Sequence, residues 1–87
     1  MMTDITIYTT PFCPYCNMAK GLLRRKNARF TEIDVSDDPG KRKVMAQRAM
    51  GRRTVPQIFI GASHVGGCDD LHALENDGKL DGMLAAP

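Results

Sequence analysis

Pro11-Phe12-Cys13-Pro14-Tyr15-Cys16-Asn17 is the stretch that decides the fold. Just before it, Ile5-Thr6-Ile7-Tyr8 alternates β-branched and aromatic residues and reads as a strand. Thr9 to Phe12 form a loop, with Pro11 breaking regular pairing. Just after it, Met18, Ala19, Leu22 and Leu23 recur at helical spacing, opposite Lys20 and Arg24. The two cysteines therefore stand three apart where a strand hands over to a helix. Pro14 suits the first helical position, whose N–H has no partner in any case. Two thiols on one helical turn can close a disulfide or act in sequence on a substrate. A cysteine at a helix N-terminus also meets unpaired N–H groups and the positive end of the helix dipole, and both favour thiolate over thiol. The thiolate is the nucleophile of disulfide exchange, so redox catalysis is the first expectation. Cys13, at the mouth of the helix, is the expected nucleophile. Cys16, one turn inside, is expected to be more buried and thiol-like, which suits a resolving role.

The same patterning extends along the chain. Phe30-Thr31-Glu32-Ile33-Asp34-Val35 alternates apolar and polar residues and reads as a second strand. Ser36-Asp37-Asp38-Pro39-Gly40 offers helix N-caps and a first-turn proline. The helix that follows should turn Val44, Met45 and Ala49 inward and end at a left-handed Gly51. Arg52 to Pro56 read as a loop and Gln57-Ile58-Phe59-Ile60 as a short strand. Gly61-Ala62-Ser63 turns the chain into a brief partner strand at His64-Val65. A last helix is expected from Cys68 to Asn76, carrying Leu71 and Leu74, with Gly78 ending it and a short tail running to Pro87. The order is strand, helix, strand, helix, strand, strand, helix. The first unit should be a right-handed crossover between parallel strands, and the last two strands a hairpin. The expected architecture is α/β: a four-stranded mixed sheet with helices on both faces.

Composition narrows the function. The 87 residues suffice for one domain, expected over 1–87, and 43% of them are hydrophobic, as in ordinary globular proteins. No apolar run is long enough to span a membrane, and Met1-Met2-Thr3-Asp4 lacks the basic start and apolar stretch of a signal peptide. A cytoplasmic location is expected, with no membrane partner. Twelve Lys and Arg against ten Asp and Glu leave a net charge of +2, too little to indicate a nucleic-acid partner. The basic residues that bunch between Lys20 and Arg53 read first as solvated helix faces and second as a positive rim for anionic thiols or acidic partners. Three cysteines are too few for a disulfide framework. A structural zinc site needs about four ligands. Beyond Cys13 and Cys16 the chain offers only Cys68, His64 and His72, without a second pair at zinc-like spacing, so no metal is expected.

Two further motifs carry weaker signals. Thr54-Val55-Pro56 is either an ordinary turn before a strand or a cis proline that leaves the Val55 backbone free to pair with an extended substrate. Gly66-Gly67-Cys68-Asp69-Asp70 is either a helix start with acidic first-turn residues or a cradle where N–H groups meet a ligand carboxylate. Cys68 is a small residue at that helix start or a thiol open to oxidation. His64 and His72 read as surface or strand-edge residues without chemistry.

Taken together, Cys-Pro-Tyr-Cys at 13–16, Thr-Val-Pro-Gln at 54–57 and Gly-Gly-Cys-Asp-Asp at 66–70 resemble the three signature blocks of the dithiol glutaredoxins, closest to the short bacterial type. Order and spacing fit, and the resemblance covers nearly the whole chain. It implies a thioredoxin fold, a cis Pro56, and glutathione as co-substrate with no tightly bound cofactor. It implies reduction of protein–glutathione mixed disulfides and protein disulfides, with Cys13 as nucleophile and Cys16 as resolving thiol. By residue match, Tyr15 flanks the glutathione, and Val55 pairs with its cysteinyl backbone, with Thr54 and Pro56 beside it. Gly67, Cys68 and Asp69 hold its γ-glutamyl end. The implied partners are glutathionylated and disulfide-containing proteins, ribonucleotide reductase being a client of some relatives, and the protein is expected to be a monomer. One position departs from the pattern: where the family usually has a lysine three residues before the first cysteine, this chain has Thr10. Arg52 or Arg53 is the expected substitute cation. Two rival readings are a redoxin reduced by a flavoprotein thioredoxin-type reductase and a glutathione-bridged iron–sulfur carrier. The absence of Trp weighs against the first. Pro14 and Cys16 weigh against the second, whose members have a single cysteine followed by Gly-Phe-Ser.

Overall fold

The computed structural model of the protein describes residues 3–85. Met1 and Met2, read above as a leader-free start, and Ala86 and Pro87, at the end of the expected tail, lie outside the described residues. The elements follow in the order β1 (Ile5–Thr9), α1 (Pro14–Arg25), β2 (Thr31–Asp34), α2 (Pro39–Arg48), β3 (Gln57–Ile60), β4 (Ser63–Gly66), α3 (Cys68–Asn76) and α4 (Leu80–Ala85). The strands form one sheet in the order β2-β1-β3-β4. β1 and β2 run parallel, with Ile7 opposite Glu32. β3 is antiparallel to β1, with Tyr8 opposite Gln57, and β4 closes the expected hairpin.

Alternation along β1 sorts side chains onto two faces. Ile5 and Ile7 join Ile58, Ile60, Ala19, Leu22, Leu23 and Leu71 in one apolar cluster, under α1 and α3. Tyr8 joins Val35, Met45, Ala49 and Phe59 in a second, under α2. Helices thus cover both faces, as expected. Pro14 and Pro39 each open a helix, where their missing N–H costs nothing. Asp38 caps α2 by accepting from the Lys41 N–H at 2.9 Å.

Four details differ from expectation. Met18 lies outside the inner stripe of α1 and is 53% exposed, because the buried face is centred on Cys16, Ala19, Leu22 and Leu23. Val44 is likewise exposed, and Met45 and Ala46 are the buried residues of α2. Lys20 does not stand on the solvent face. Its side chain is only 15% exposed and pairs with Glu32 at 2.9 Å. The stretch after Gly78 is α4 rather than a tail. Leu80 and Leu84 of this short helix drop into the first cluster, and Lys26, at the end of α1, ties Glu75 and Asp81 together at 2.7 and 2.9 Å. Six residues are too few to show a helical period reliably, and tertiary burial supplies the stability that such a helix lacks alone.

Replacing Leu80 with Ala should therefore cost about 2–5 kcal/mol, the range for emptying a fully buried leucine site. Urea unfolding monitored by circular dichroism measures this, and a loss under about 1 kcal/mol would mean that α4 is not anchored through Leu80.

Candidate active site

Topology brings three chain segments to one end of the sheet. β1 ends at Thr9 and leads into Cys13. β3 runs the other way, so its first residues, after Pro56, lie beside the end of β1. β4 reverses again and delivers the start of α3 to the same edge. Ligand sites of α/β sheets characteristically lie beyond the carboxyl ends of the parallel strands. A cleft of about 280 Å³ opens here, lined by Tyr15, Arg52, Thr54, Val55, Pro56, Gly67, Cys68, Asp69 and Asp70. A larger hollow of about 690 Å³ lies at the opposite end of the sheet, around Ile5, Asn27, Arg29 and Phe30. It contains no thiol.

All three cysteines are free thiols. Cys13 is the N-cap of α1, with extended backbone, and its Sγ accepts the Cys16 N–H at 3.2 Å. Its thiol also reaches the Val55 carbonyl, 3.8 Å away. Cys16 faces the sheet and is fully buried. Burial first, and then its hydrogen bond with Cys13, push the Cys16 thiol up to about 12, against a smaller opposing effect of a backbone hydrogen bond from Thr10. Cys68, first residue of α3, is 5% exposed. Burial raises its thiol, and the neighbouring Asp69 carboxylate raises it further.

The Val55–Pro56 peptide bond is cis. Loop 52–56 is held from below by Gln57, which is fully buried. Its amide Nε2 donates to Thr54 Oγ1 at 3.2 Å, and its Oε1 pairs with His64 Nε2 at 2.7 Å. Burial, and then the charge of Arg52, hold His64 below the ordinary histidine range. A neutral ring with its proton on Nε2 is the tautomer that can donate to Gln57. His64 also stacks on Phe59, with ring centroids 5.0 Å apart. It is a structural support for the loop rather than a bare strand-edge residue.

The start of α3 is built tightly. Asp70 Oδ2 accepts the Gly67 N–H at 2.8 Å and pairs with Arg52 Nη1 at 3.4 Å. Gly66 has φ +115°. A Cβ there would strike the Asp70 carboxylate and come within 2.9 Å of Arg52, so only glycine fits. At Gly67 a Cβ would meet only ordinary contacts, the nearest being the Pro56 carbonyl at 3.6 Å.

A family model described as glutaredoxin matches residues 5–65. The chain belongs to the glutaredoxin family. It is 56% identical over 85 residues to a glutaredoxin of Pseudomonas aeruginosa, covering 98% of this chain and all of the relative. A solution structure of glutaredoxin from Brucella melitensis superposes with a TM-score of 0.84 at 61% identity, covering 95% of this chain and 89% of the other. A crystal structure of a buckwheat glutaredoxin–glutathione complex gives the same TM-score at 33% identity, over 94% and 76% of the two chains. The thioredoxin fold that the resemblance implied is therefore the fold of this glutaredoxin.

Every glutathione-site residue expected from the sequence lies on this one cleft: Tyr15, Thr54, Val55, Pro56, Gly67, Cys68 and Asp69. Of the two candidate cations, Arg52 lines it. Arg53 lies outside the lining, its carbonyl accepting from Arg42 Nη2 at 3.2 Å. Asp70 and Gln57 were not singled out as site residues. Asp70 was legible in the spacing, since an acid three residues after an N-cap matches half of a capping box. Gln57 carried no signal: a polar residue in a short strand declares its burial only in three dimensions.

The Asp70 carboxyl is held below the usual range, first by the Gly67 N–H and also by Arg52. A lowered folded-state value means that Asp70 stabilises the fold above the unfolded aspartate value of about 3.9. That stability is lost as pH falls through the lower folded value. Asp70→Ala should therefore be less stable than its parent in urea at pH 7, with the deficit shrinking at about pH 3. An equal deficit at both pH values would show that the carboxylate charge is not what matters.

Proposed function

We propose that the protein is a glutathione-dependent thiol–disulfide oxidoreductase, with Cys13 as nucleophile and Cys16 as resolving thiol. The observation that carries this reading is the position of Cys13. Its sulfur caps α1, beside the Val55 carbonyl, and Val55 lines a cleft together with Tyr15, Arg52 and the first residues of α3. In disulfide exchange the attacking and departing sulfurs both carry negative charge. The Cys16 N–H points at the Cys13 sulfur, where that charge resides during attack.

With a protein–glutathione mixed disulfide, the Cys13 thiolate attacks the glutathione sulfur. The protein–sulfur bond breaks and the protein leaves as thiolate, taking a proton from water. A second glutathione then attacks the Cys13–glutathione bond, regenerating Cys13 and releasing glutathione disulfide. With a protein disulfide, Cys13 forms a mixed disulfide with one client sulfur. Cys16 attacks Cys13, expelling the client thiol, and two glutathione molecules reduce the Cys13–Cys16 bond. Full burial suits Cys16 to this second, intramolecular role, because only a disulfide already on Cys13 comes within its reach.

The cleft fits a tripeptide thiol in extended form. Among the described residues the Val55 N–H donates to no other group, so it is available beside the Cys13 sulfur. Tyr15, 60% exposed, offers a ring face at the rim. The Cys68 N–H and Asp69 would meet the carboxylate and amine of the γ-glutamyl end, with Gly67, whose own N–H is held by Asp70, giving close approach to the backbone. Arg52 is the cation on this cleft for a glutathione carboxylate, in place of the lysine absent at Thr10. The buckwheat relative, solved as a glutathione complex, supports glutathione as co-substrate. The reading takes residues 1–87 as one domain, working as a cytoplasmic monomer on glutathionylated and disulfide-containing proteins.

The glutathione-coupled assay on a mixed disulfide tests the assignment. Cys13→Ser should abolish activity, whereas Cys16→Ser should keep deglutathionylation and lose reduction of protein disulfides. Full activity in Cys13→Ser would refute it. Arg52→Ala should raise the KM for glutathione several-fold with little change in kcat, while Arg53→Ala leaves it near the parent value. Equal values for all three proteins would remove Arg52 from the glutathione site.

A further inference from the structure

The resolving step sets a problem that the cleft does not solve. Cys16 must carry negative charge to attack, yet it is fully buried and holds its proton tightly. The groups that act on it are the Cys13 sulfur, a backbone hydrogen bond from Thr10 and the charge of Lys20. Cys13 is uncharged as seen from Cys16 once it is in a mixed disulfide. Of the charged side chains, this leaves Lys20.

Lys20 follows Cys16 by four residues on α1, so the two side chains lie one above the other on the same helix face. Most lysines reach into water. This one is folded down to 15% exposure, its Nζ held 2.9 Å from Glu32 Oε2. Glu32 is itself fixed from the sheet. The same oxygen accepts the Thr9 hydroxyl at 2.7 Å, and Thr9 is buried at the end of β1. Lys20 first, then Thr9, hold the Glu32 carboxyl below its usual range, with Arg24 adding a smaller effect. Glu32 therefore stays anionic at neutral pH and keeps Lys20 in place. Three elements, β1, β2 and α1, thus combine to hold one cation a helical turn along from Cys16, outside the lining of the cleft.

We infer that Lys20, anchored by Glu32 and Thr9, is a positioning charge for the resolving thiol: it stabilises the Cys16 thiolate while Cys16 attacks the Cys13 mixed disulfide. The inference rests on the assignment of Cys13 as nucleophile and Cys16 as resolving thiol. In the step it serves, the Cys16 sulfur bonds to Cys13, the bond from Cys13 to the client sulfur breaks, and the departing thiolate takes up the proton that Cys16 has released through water. No external oxidant or reductant is consumed. Lys20 moves no proton. Its charge lowers the cost of the interval in which Cys16 has none.

A chromogenic disulfide separates the two thiols in one trace. Reduced enzyme mixed rapidly with one equivalent of 5,5′-dithiobis(2-nitrobenzoate) should release the coloured thiol twice. The first release reports attack by Cys13, and the second reports resolution by Cys16. In Lys20→Met the first phase should match the parent. The second should be about tenfold slower at neutral pH, its pH midpoint displaced upward by about one unit, because an anion that loses its cation holds its proton more tightly. Glu32→Gln, which releases Lys20, should shift the second phase in the same direction. Lys20→Arg should restore it. An unchanged second phase in Lys20→Met, or both phases slowed alike as general damage would produce, overturns the inference. Absence of the second phase in the parent protein would instead overturn the resolving role of Cys16.

Discussion

The antiparallel pairing of β1 with β3, Tyr8 opposite Gln57, is the constraint on which the site depends. It turns the beginning of β3 back beside the end of β1, so that residues more than 40 apart in sequence face one another. The Cys13 sulfur and the Val55 carbonyl meet across this junction at 3.8 Å. A parallel β3 would carry loop 52–56 to the far end of the sheet, where the larger hollow around Phe30 lies. Gln57 then refines the placement. Its buried amide links Thr54 on one side to His64 on the other, so the loop is tied to β4 and not only to its own strand. A buried amide with both ends satisfied orders its neighbours, because each partner would lose its hydrogen bond on moving.

Three thiols share this end of the molecule, and their surroundings separate them. Cys13, 8% exposed, is the N-cap of its helix, and a helix N–H meets its sulfur. Cys16 is on the same helix one turn along, wholly covered. Cys68 opens another helix, yet burial and the adjacent Asp69 favour its neutral form. A helix N-terminus alone therefore does not make a thiol reactive. At Cys68, burial and the adjacent carboxylate both oppose ionisation.

Much of this was legible in the sequence for plain reasons. Period-two alternation in β1, prolines at the first turns of α1 and α2, and glycines after helices each act locally, so residues 5 to 76 could be assigned in the correct order. Of the three blocks read from the sequence, Tyr15, residues 54–56 and residues 67–70 line one cleft. What escaped depends on contacts between distant segments. α4 is one such case, a six-residue helix held by Leu80 and Leu84. Exposure of Met18 and Val44 is another, since helical spacing defines a face only to within a turn's width. The choice of Arg52 over Arg53 is a third: neighbours in a loop diverge, and only the pairing with Asp70 fixes which one faces the cleft.

Lys20 shows why charge counting failed most where chemistry is closest. On a helical wheel it belongs to the polar flank, and a lysine there is ordinarily solvated. The nearest acid in sequence that it could have paired with gives no hint, because its partner, Glu32, stands on another element and alternates with Ile33 on an edge strand. Parallel pairing puts Glu32 opposite Ile7, on the α1 side of the sheet, where a solvated acid has no business unless a cation meets it. Lys20 is the more covered of the two charges, and Glu32, with the Thr9 hydroxyl completing the carboxylate's bonding, meets it. Such a pair adds little to stability when partly exposed. Its place one helical turn from Cys16 is what gives the inference drawn for Lys20 its physical footing.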